Sequence, residues 1–292
     1  MKELAVLKPI DRLEDAVALD PLIGPLRGFV RSFIRPRALR DVLHGVPIGH
    51  PVHPFAVQIP IGAWTSAAVL DALPGNNRAS RVLVAIGVAA AVPAAITGMN
   101  DWTQLHQQQA RVGVIHWAAN FTAAGLYAAS FVQRSRGRHS SGKALGYLGL
   151  AVVSFSGFLG GHLSYRQAAG ANHAEDVPHR FPRGWQSLAP LEEIPENELF
   201  SRQVGALPLL VLRRGDSVSA LSNVCSHLSG PLNRGQLLSG HSDDPCVECP
   251  WHGSVFSLNT GEVVHGPATA PLPKFETRVS NGFLEVRLKR DR

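Results

Sequence analysis

Cys225-Ser226-His227 and Cys249-Pro250-Trp251-His252 decide how the rest of this chain is read. A C-x-H pair followed by a C-x-x-H pair supplies two thiolates and two imidazoles. That donor set suits a [2Fe–2S] cluster in which the sulfurs hold one iron and neutral imidazoles hold the other. Replacing two anionic ligands by neutral ones makes the cluster less negative, so an added electron costs less and the potential rises to roughly −150 to +300 mV. Such a centre passes one electron at a time. A Cys2His2 zinc site is the competing reading. Zinc favours C-x-x-C or H-x-x-x-H type pairs, and C-x-H with C-x-x-H followed by Gly253-Ser254 is poor zinc spacing.

The stretches C-S-H-L-S-G-P-L at 225–232 and C-P-W-H-G-S-V-F at 249–256, with Thr260-Gly261-Glu262 and Gly266-Pro267, carry a wider likeness. Through them residues 184–292 resemble the Rieske-type [2Fe–2S] ferredoxin domain, an antiparallel all-β fold. The resemblance implies that Cys225 and Cys249 bind one iron and His227 and His252 the other, partly exposed one. Gly253 would let the backbone approach a sulfide, and Pro231, Pro250 and Pro267 would stiffen the loops over the cluster. The chain departs from the quinol-oxidising branch of that family, whose members carry two further cysteines joined in a disulfide. Those positions look like Gly230 and Trp251 here, so no bridge is expected. Ser254 stands where a hydroxyl donates to a cluster sulfide, but the partner tyrosine is replaced by Phe256. The potential is therefore expected below that of the disulfide-linked type.

Working outward, 292 residues suffice for two domains. The chain is 45% hydrophobic and 17% charged, and the shortage of charge is concentrated upstream of residue 165. A net charge of +6 and a pI near 9.6 raise the question of nucleic acid. The arginines instead lie at the ends of apolar segments, where anionic lipid headgroups are the expected counter-ions. Of three cysteines, Cys246 is left over once the cluster pair is set aside, so no oxidising compartment is implied.

Four domains or segments are expected. Residues 1–48 start without an apolar core and cleavage site, so a cleaved signal is not expected. Within them Leu22, Ile23, Leu26, Phe29, Val30, Phe33 and Ile34 recur at helical spacing opposite Arg27, Arg31 and Arg35, which suits a helix lying in a membrane interface or on a bundle surface. Residues 49–165 contain four apolar runs, 55–73, 79–98, 112–132 and 144–163, each about 20 residues and long enough to span a bilayer. They are read as an all-α four-helix transmembrane bundle, with glycines in the fourth run allowing close helix approach. Residues 166–183 are expected to be a flexible linker, and 184–292 the all-β head. No internal repeat is legible. His50-Pro51-Val52-His53-Pro54 and Gly98-Met99-Asn100-Asp101-Trp102 also make the bundle look like a four-helix bacterial membrane domain, a likeness that implies a fold and assigns no chemistry. Trp102 is expected at an aromatic belt.

Short connections make successive helices antiparallel, which puts both termini, the head and His53, His116 and His162 on one side of the membrane. These three histidines are candidate ligands of a b-type haem; the competing reading is that they cap helix ends. The chain is thus read as a multi-pass protein of a bacterial inner membrane with a cytoplasmic head. It would transfer single electrons between a protein redox partner and a bundle cofactor or second partner, in contact with membrane lipid and with no nucleic acid. An electron-transfer component is expected rather than a self-contained enzyme. A Rieske-fed oxygenase using the membrane-side histidines and a redox sensor are the alternatives.

Overall fold

The computed structural model describes residues 8–238 and 244–289. The chain forms two compact units, Met1–Pro36 with Pro51–Ala169 and Arg37–His50 with Gly170–Arg292. Residues 37–48 of the expected N-terminal segment and 49–50 of the expected bundle group with the C-terminal unit, as does most of the expected linker, with Val177 and Phe181 buried in its core.

The helices are α1 (Lys8–Glu14), α2 (Asp20–Phe33), α3 (Arg37–His44), α4 (Val52–Ala56), α5 (Gln58–Ala72), α6 (Asn77–Trp102), α7 (Gln107–Ser135), α8 (His139–Gly161) and α9 (Val177–Arg180). All but α3 and α9 lie in the first unit. On α2, Ile23 packs with Trp102, Ala110 and Val114. Arg27 and Arg31 donate to the carbonyls of Leu105 at 2.6 Å and Thr103 at 3.2 Å. The arginines thus tie α2 to the α6–α7 connection, while Leu22, Phe29 and Phe33 stay exposed.

The four apolar runs are all helical, as expected, but three segments are long and apolar enough to cross a membrane: Val52–Ala72, Asn77–Trp102 and His139–Arg166. The third run lies on α7, where Arg111, His116 and Asn120 lower the hydropathy. Trp102 is not a belt residue. It is buried, its Nε1 donates to the Ala110 carbonyl at 3.0 Å, and its ring stacks on Trp117 with centroids 5.7 Å apart.

The structure contains a repeat that the sequence conceals. The spacing His53, Trp64, Ala67, Asp71 recurs as His116, Tyr127, Ser130, Arg134, and the spacing Ser80, Gly87, Ala94, Gly98 recurs as Gly142, Gly149, Ser156, Gly160. The contacts recur with it. His53 Nδ1 bonds the Ala94 carbonyl at 2.9 Å and His116 Nδ1 bonds the Ser156 carbonyl at 2.8 Å. Trp64 lies over Gly87 and Tyr127 over Gly149. Ser80 Oγ lies 3.2 Å from the Ala67 carbonyl, and at the equivalent positions Ser130 Oγ lies 2.6 Å from the Gly142 carbonyl, the serine and the carbonyl exchanged between hairpins. The α4–α6 hairpin and the α7–α8 hairpin therefore share one plan.

Equivalent residues of the two hairpins also meet each other, as they do in an isologous two-fold contact. Trp64 stacks on Tyr127 with centroids 4.1 Å apart and planes 6° from parallel. Asp71 pairs with Arg134 in a bidentate bridge of 2.8 and 2.5 Å, the side chains 2% and 0% exposed. Ser80 completes it, donating to Asp71 at 2.7 Å.

The second unit carries β1 (Gln186–Pro190), β2 (Leu199–Val204), β3 (Leu207–Arg214), β4 (Ser217–Ser222), β5 (Gln236–Leu238), β6 (Cys246–Glu248), β7 (Val255–Ser257), β8 (Val263–His265), β9 (Lys274–Ser280) and β10 (Phe283–Leu288). They form antiparallel sheets ordered β1-β10-β9-β4-β3-β2 and β5-β6-β7-β8. The β9–β10 hairpin turns at Asn281 and Gly282, both at positive φ, as a two-residue turn of this kind requires. On β3, Leu209 and Val211 face a core with Phe275 and Val286, while Leu210 and Leu212 face another with Leu221, Phe256 and Leu272. A strand covered on both faces reads as a continuous apolar run. Cys225 and Cys249 belong to the second core.

Candidate metal centre

Two loops with the same wiring leave that second core. In one, the Cys225 N–H donates to the Gly230 carbonyl and the Ser229 N–H returns to the Cys225 carbonyl, both at 2.9 Å. In the other, the Cys249 N–H donates to the Ser254 carbonyl at 2.8 Å and the Gly253 N–H returns to the Cys249 carbonyl at 3.1 Å. Both loops close through a residue at positive φ, Ser229 at 62° and Gly253 at 74°. Glycine takes that conformation without a Cβ penalty.

The wiring turns the four donors together. Cys225 and Cys249 are buried and in hydrogen-bond contact through their sulfurs. Backbone N–H groups two and three residues on point at each sulfur, those of His227 and Leu228 at Cys225, and those of Trp251 and His252 at Cys249. The hydrogen bond from Cys225, helped by those amides, holds the Cys249 thiol down to about 7. The same bond, with burial, pushes Cys225 up. The half-buried His227 and His252 rings lie with centroids 5.0 Å apart and planes at 86°. Two amide-solvated sulfurs and two neighbouring imidazoles fit a [2Fe–2S] cluster with mixed ligation.

The surrounding residues agree with that fit. Ser254 is fully buried and its oxygen accepts the Ala268 N–H at 3.0 Å, which leaves its own O–H to donate. At Gly230 a Cβ would fall 2.6 Å from the Cys249 sulfur and 3.4 Å from the Trp251 ring. The two positions expected to lack a disulfide are therefore neighbours, and neither carries a cysteine. Cys246 is a free thiol whose S–H points to the Asp244 carbonyl at 3.6 Å. Pro231 bridges to Val224, Pro250 is exposed in its loop, and Pro267 follows Gly266 through a cis peptide bond.

Comparison with known proteins agrees with the geometry. Residues 184–276 match the Rieske [2Fe-2S] domain. The anthranilate 1,2-dioxygenase ferredoxin subunit of Burkholderia cepacia is 33% identical over 102 residues, 35% of this chain and 90% of that protein. The chain belongs to the Rieske [2Fe–2S] family. Ferredoxin CarAc of Metapseudomonas resinovorans is 40% identical over 84 residues, covering 29% of this chain and 74% of that one. Among solved structures, the ferredoxin of carbazole 1,9a-dioxygenase from Nocardioides aromaticivorans IC177 aligns at 28% identity and a TM-score of 0.32, over 36% of this chain and 98% of its own. Residues 49–173 match a second family, described as Predicted membrane protein (DUF2231). The chain thus joins an N-terminal domain of that kind to a Rieske electron-transfer domain.

This Rieske domain has partners that its motif does not announce. Asp41 on α3, 9% exposed, reaches His265 Nδ1 at 2.8 Å with one oxygen and accepts the Gly266 N–H at 3.0 Å with the other. Arg37 donates to the Gly253 carbonyl at 3.0 Å. A Cβ on Gly266 would press on Val46 and His44. The short α3 segment therefore grips both the second cysteine loop and the Gly266-Pro267 loop. Asp41 and His265 are 224 positions apart, and no local signal links them. His173, from the expected linker, donates its N–H to the Ser226 carbonyl at 2.9 Å.

The candidate histidines of the helical unit separate into two kinds. His53 and His116 occupy equivalent positions of the repeat. His162 does not share their setting: its Nε2 bonds Glu14 at 2.8 Å, and with Asp11 and Glu14 it forms a group whose ligand atoms lie within 4.8 Å.

Proposed function

We propose that the chain is a membrane-anchored one-electron carrier in which Cys225 and Cys249 hold one iron of the cluster and His227 and His252 the other. The observation that carries this reading is the pair of identically wired loops that brings two sulfurs into contact beside two adjacent imidazoles. The cluster supplies reversible one-electron chemistry. The chain's residues do the rest. Backbone amides point at the sulfurs, where negative charge accumulates, and Ser254 donates to a cluster sulfide. Gly230 keeps the space beside Cys249 clear. Trp251, 49% exposed next to His252, marks the face that a protein redox partner would meet.

In this reading α7 crosses the membrane beside the three more apolar segments, and Leu22, Phe29 and Phe33 of α2 lie in the lipid interface. Four crossings return both termini to one side. The free thiol of Cys246 suits a reducing compartment and supports a cytoplasmic head. The relatives are named as ferredoxin components of dioxygenases, and by that likeness the partner is a reductase or oxygenase protein. An oxygenase built into this chain is less well supported. A non-haem iron site of that type needs two histidines and a carboxylate, whereas the ring partners of His53 and His116 are carbonyls, a serine hydroxyl and a carboxamide.

The test is carbonate extraction of membranes followed by EPR of the dithionite-reduced protein. The expected result is retention in the pellet with a Rieske signal. Release into the supernatant would sink the anchor, and a silent spectrum would sink the cluster.

A further inference from the structure

We propose that His53 and His116 are the two axial ligands of a b-type haem in the helical unit. The site follows from the repeat. Each histidine stands at the same place on the first helical stretch of its hairpin, and each bonds a backbone carbonyl of the hairpin's second helix, Ala94 at 2.9 Å and Ser156 at 2.8 Å. A carbonyl only accepts, so each Nδ1 carries the ring proton and each Nε2 keeps its lone pair. This is the arrangement by which proteins fix an imidazole for metal ligation.

Each ring is also backed by an equivalent glycine. A Cβ at Gly98 would fall 2.7 Å from the His53 ring, and one at Gly160 would fall 3.2 Å from the His116 ring. The hairpins face each other through equivalent residues, Trp64 on Tyr127 three turns along. Asn120 Nδ2 lies 3.0 Å from His116 Nε2, so the proposed ligation requires this carboxamide to give up that hydrogen bond.

Coordination chemistry selects the ligand. A bare divalent ion such as zinc wants four donors and would bring uncompensated charge among apolar helices. Haem brings four equatorial nitrogens and the balancing charge on its own macrocycle, and asks the protein for two axial side chains. His162 is excluded because its Nε2 is held by Glu14 and the repeat puts Asn100 at its equivalent position. The inference deepens the reading as a membrane-anchored electron carrier and rests on it for the lipid setting, while the cluster plays no part.

The full-length chain, expressed with added iron and a haem precursor and purified in detergent, should carry a low-spin haem whose ferric EPR spectrum reports two imidazole ligands. His53→Ala and His116→Ala should each lower haem content about tenfold or more, whereas His162→Ala should leave it unchanged. The Rieske EPR signal in the same samples reports folding. A colourless or high-spin wild type overturns the proposal, as does full haem in either of the first two variants. If a variant loses both signals it has misfolded, and the wild-type ferric spectrum decides. Haem without a Rieske signal would sink the cluster reading and leave this one standing.

Discussion

The two units bury strongly polar groups in opposite ways. In the helical unit Asp71, Ser80 and Arg134 satisfy one another in a closed network, each donor facing an acceptor. In the Rieske unit two thiols and two imidazoles converge with backbone amides behind the sulfurs, an arrangement that suits a metal cluster better than it suits the groups themselves. The difference separates polar burial that fixes a packing from polar burial that prepares a site. Tyr127 adds a nuance on the helical side, because its buried hydroxyl has no hydrogen-bond partner among the described residues.

The comparison is sharpest where a ligand is lost. Cys225→Ala or His252→Ala should abolish the reduced-state Rieske EPR signal, since either leaves one iron short of a ligand. A full signal from Cys225→Ala protein would disprove the assignment. The closed network should respond in stability instead. Arg134→Ala strands a buried carboxylate and should cost about 3–5 kcal/mol, whereas removing both charges together as Asp71→Leu with Arg134→Met should be far milder. Detergent-phase thermal unfolding measures both, and equal losses in the single and double variants would show that the pair is not coupled.

Finer effects belong to the edges of each unit. Ser254→Ala should keep its iron and lower the midpoint potential by about 60 mV for each 1.4 kcal/mol by which the hydroxyl favours the reduced cluster. Voltammetry reads this directly, and an unchanged potential removes Ser254 from contact with the cluster. Asp41→Ala should release iron to a chelator faster than wild type, because it cuts both bonds to the His265-Gly266 stretch; an equal rate would make α3 a passive neighbour. The smallest effect concerns Asp20, whose bond to Arg111 holds its carboxyl down to about 2 from the usual 3.8. A depressed carboxyl stabilises above its unfolded pKa and loses that contribution as pH falls from near 3.8 through about 2. Hydrogen exchange of α2 should quicken over that window, slightly, because the pair is solvent-screened, and Asp20→Asn should remove the pH dependence.

Much of the site was legible because its residues are close in sequence. Cys225 and His227 share one loop, Cys249 and His252 another, so spacing alone reported the proposed donor set. Apolar runs likewise announced α5, α6 and α8. They also announced α7, which falls outside the three segments apolar enough to cross a membrane because it carries Arg111, His116 and Asn120.

What the amino-acid order could not disclose rests on contacts between distant residues. Asp41 meets His265 only after the chain has folded α3 against the Rieske loops, and the expected linker buries Val177 and Phe181 only once a sheet offers them a core. The repeat is hidden for the same reason. At equivalent places the chain carries Trp64 and Tyr127, Asp71 and Arg134, Ser80 and Gly142, pairs chosen for what they touch across the helix interface rather than for likeness. Local sequence determines periodicity and the chemistry each loop can offer. Complementary partners across a packed interface are specified by shape and charge, which exist only in the tertiary structure.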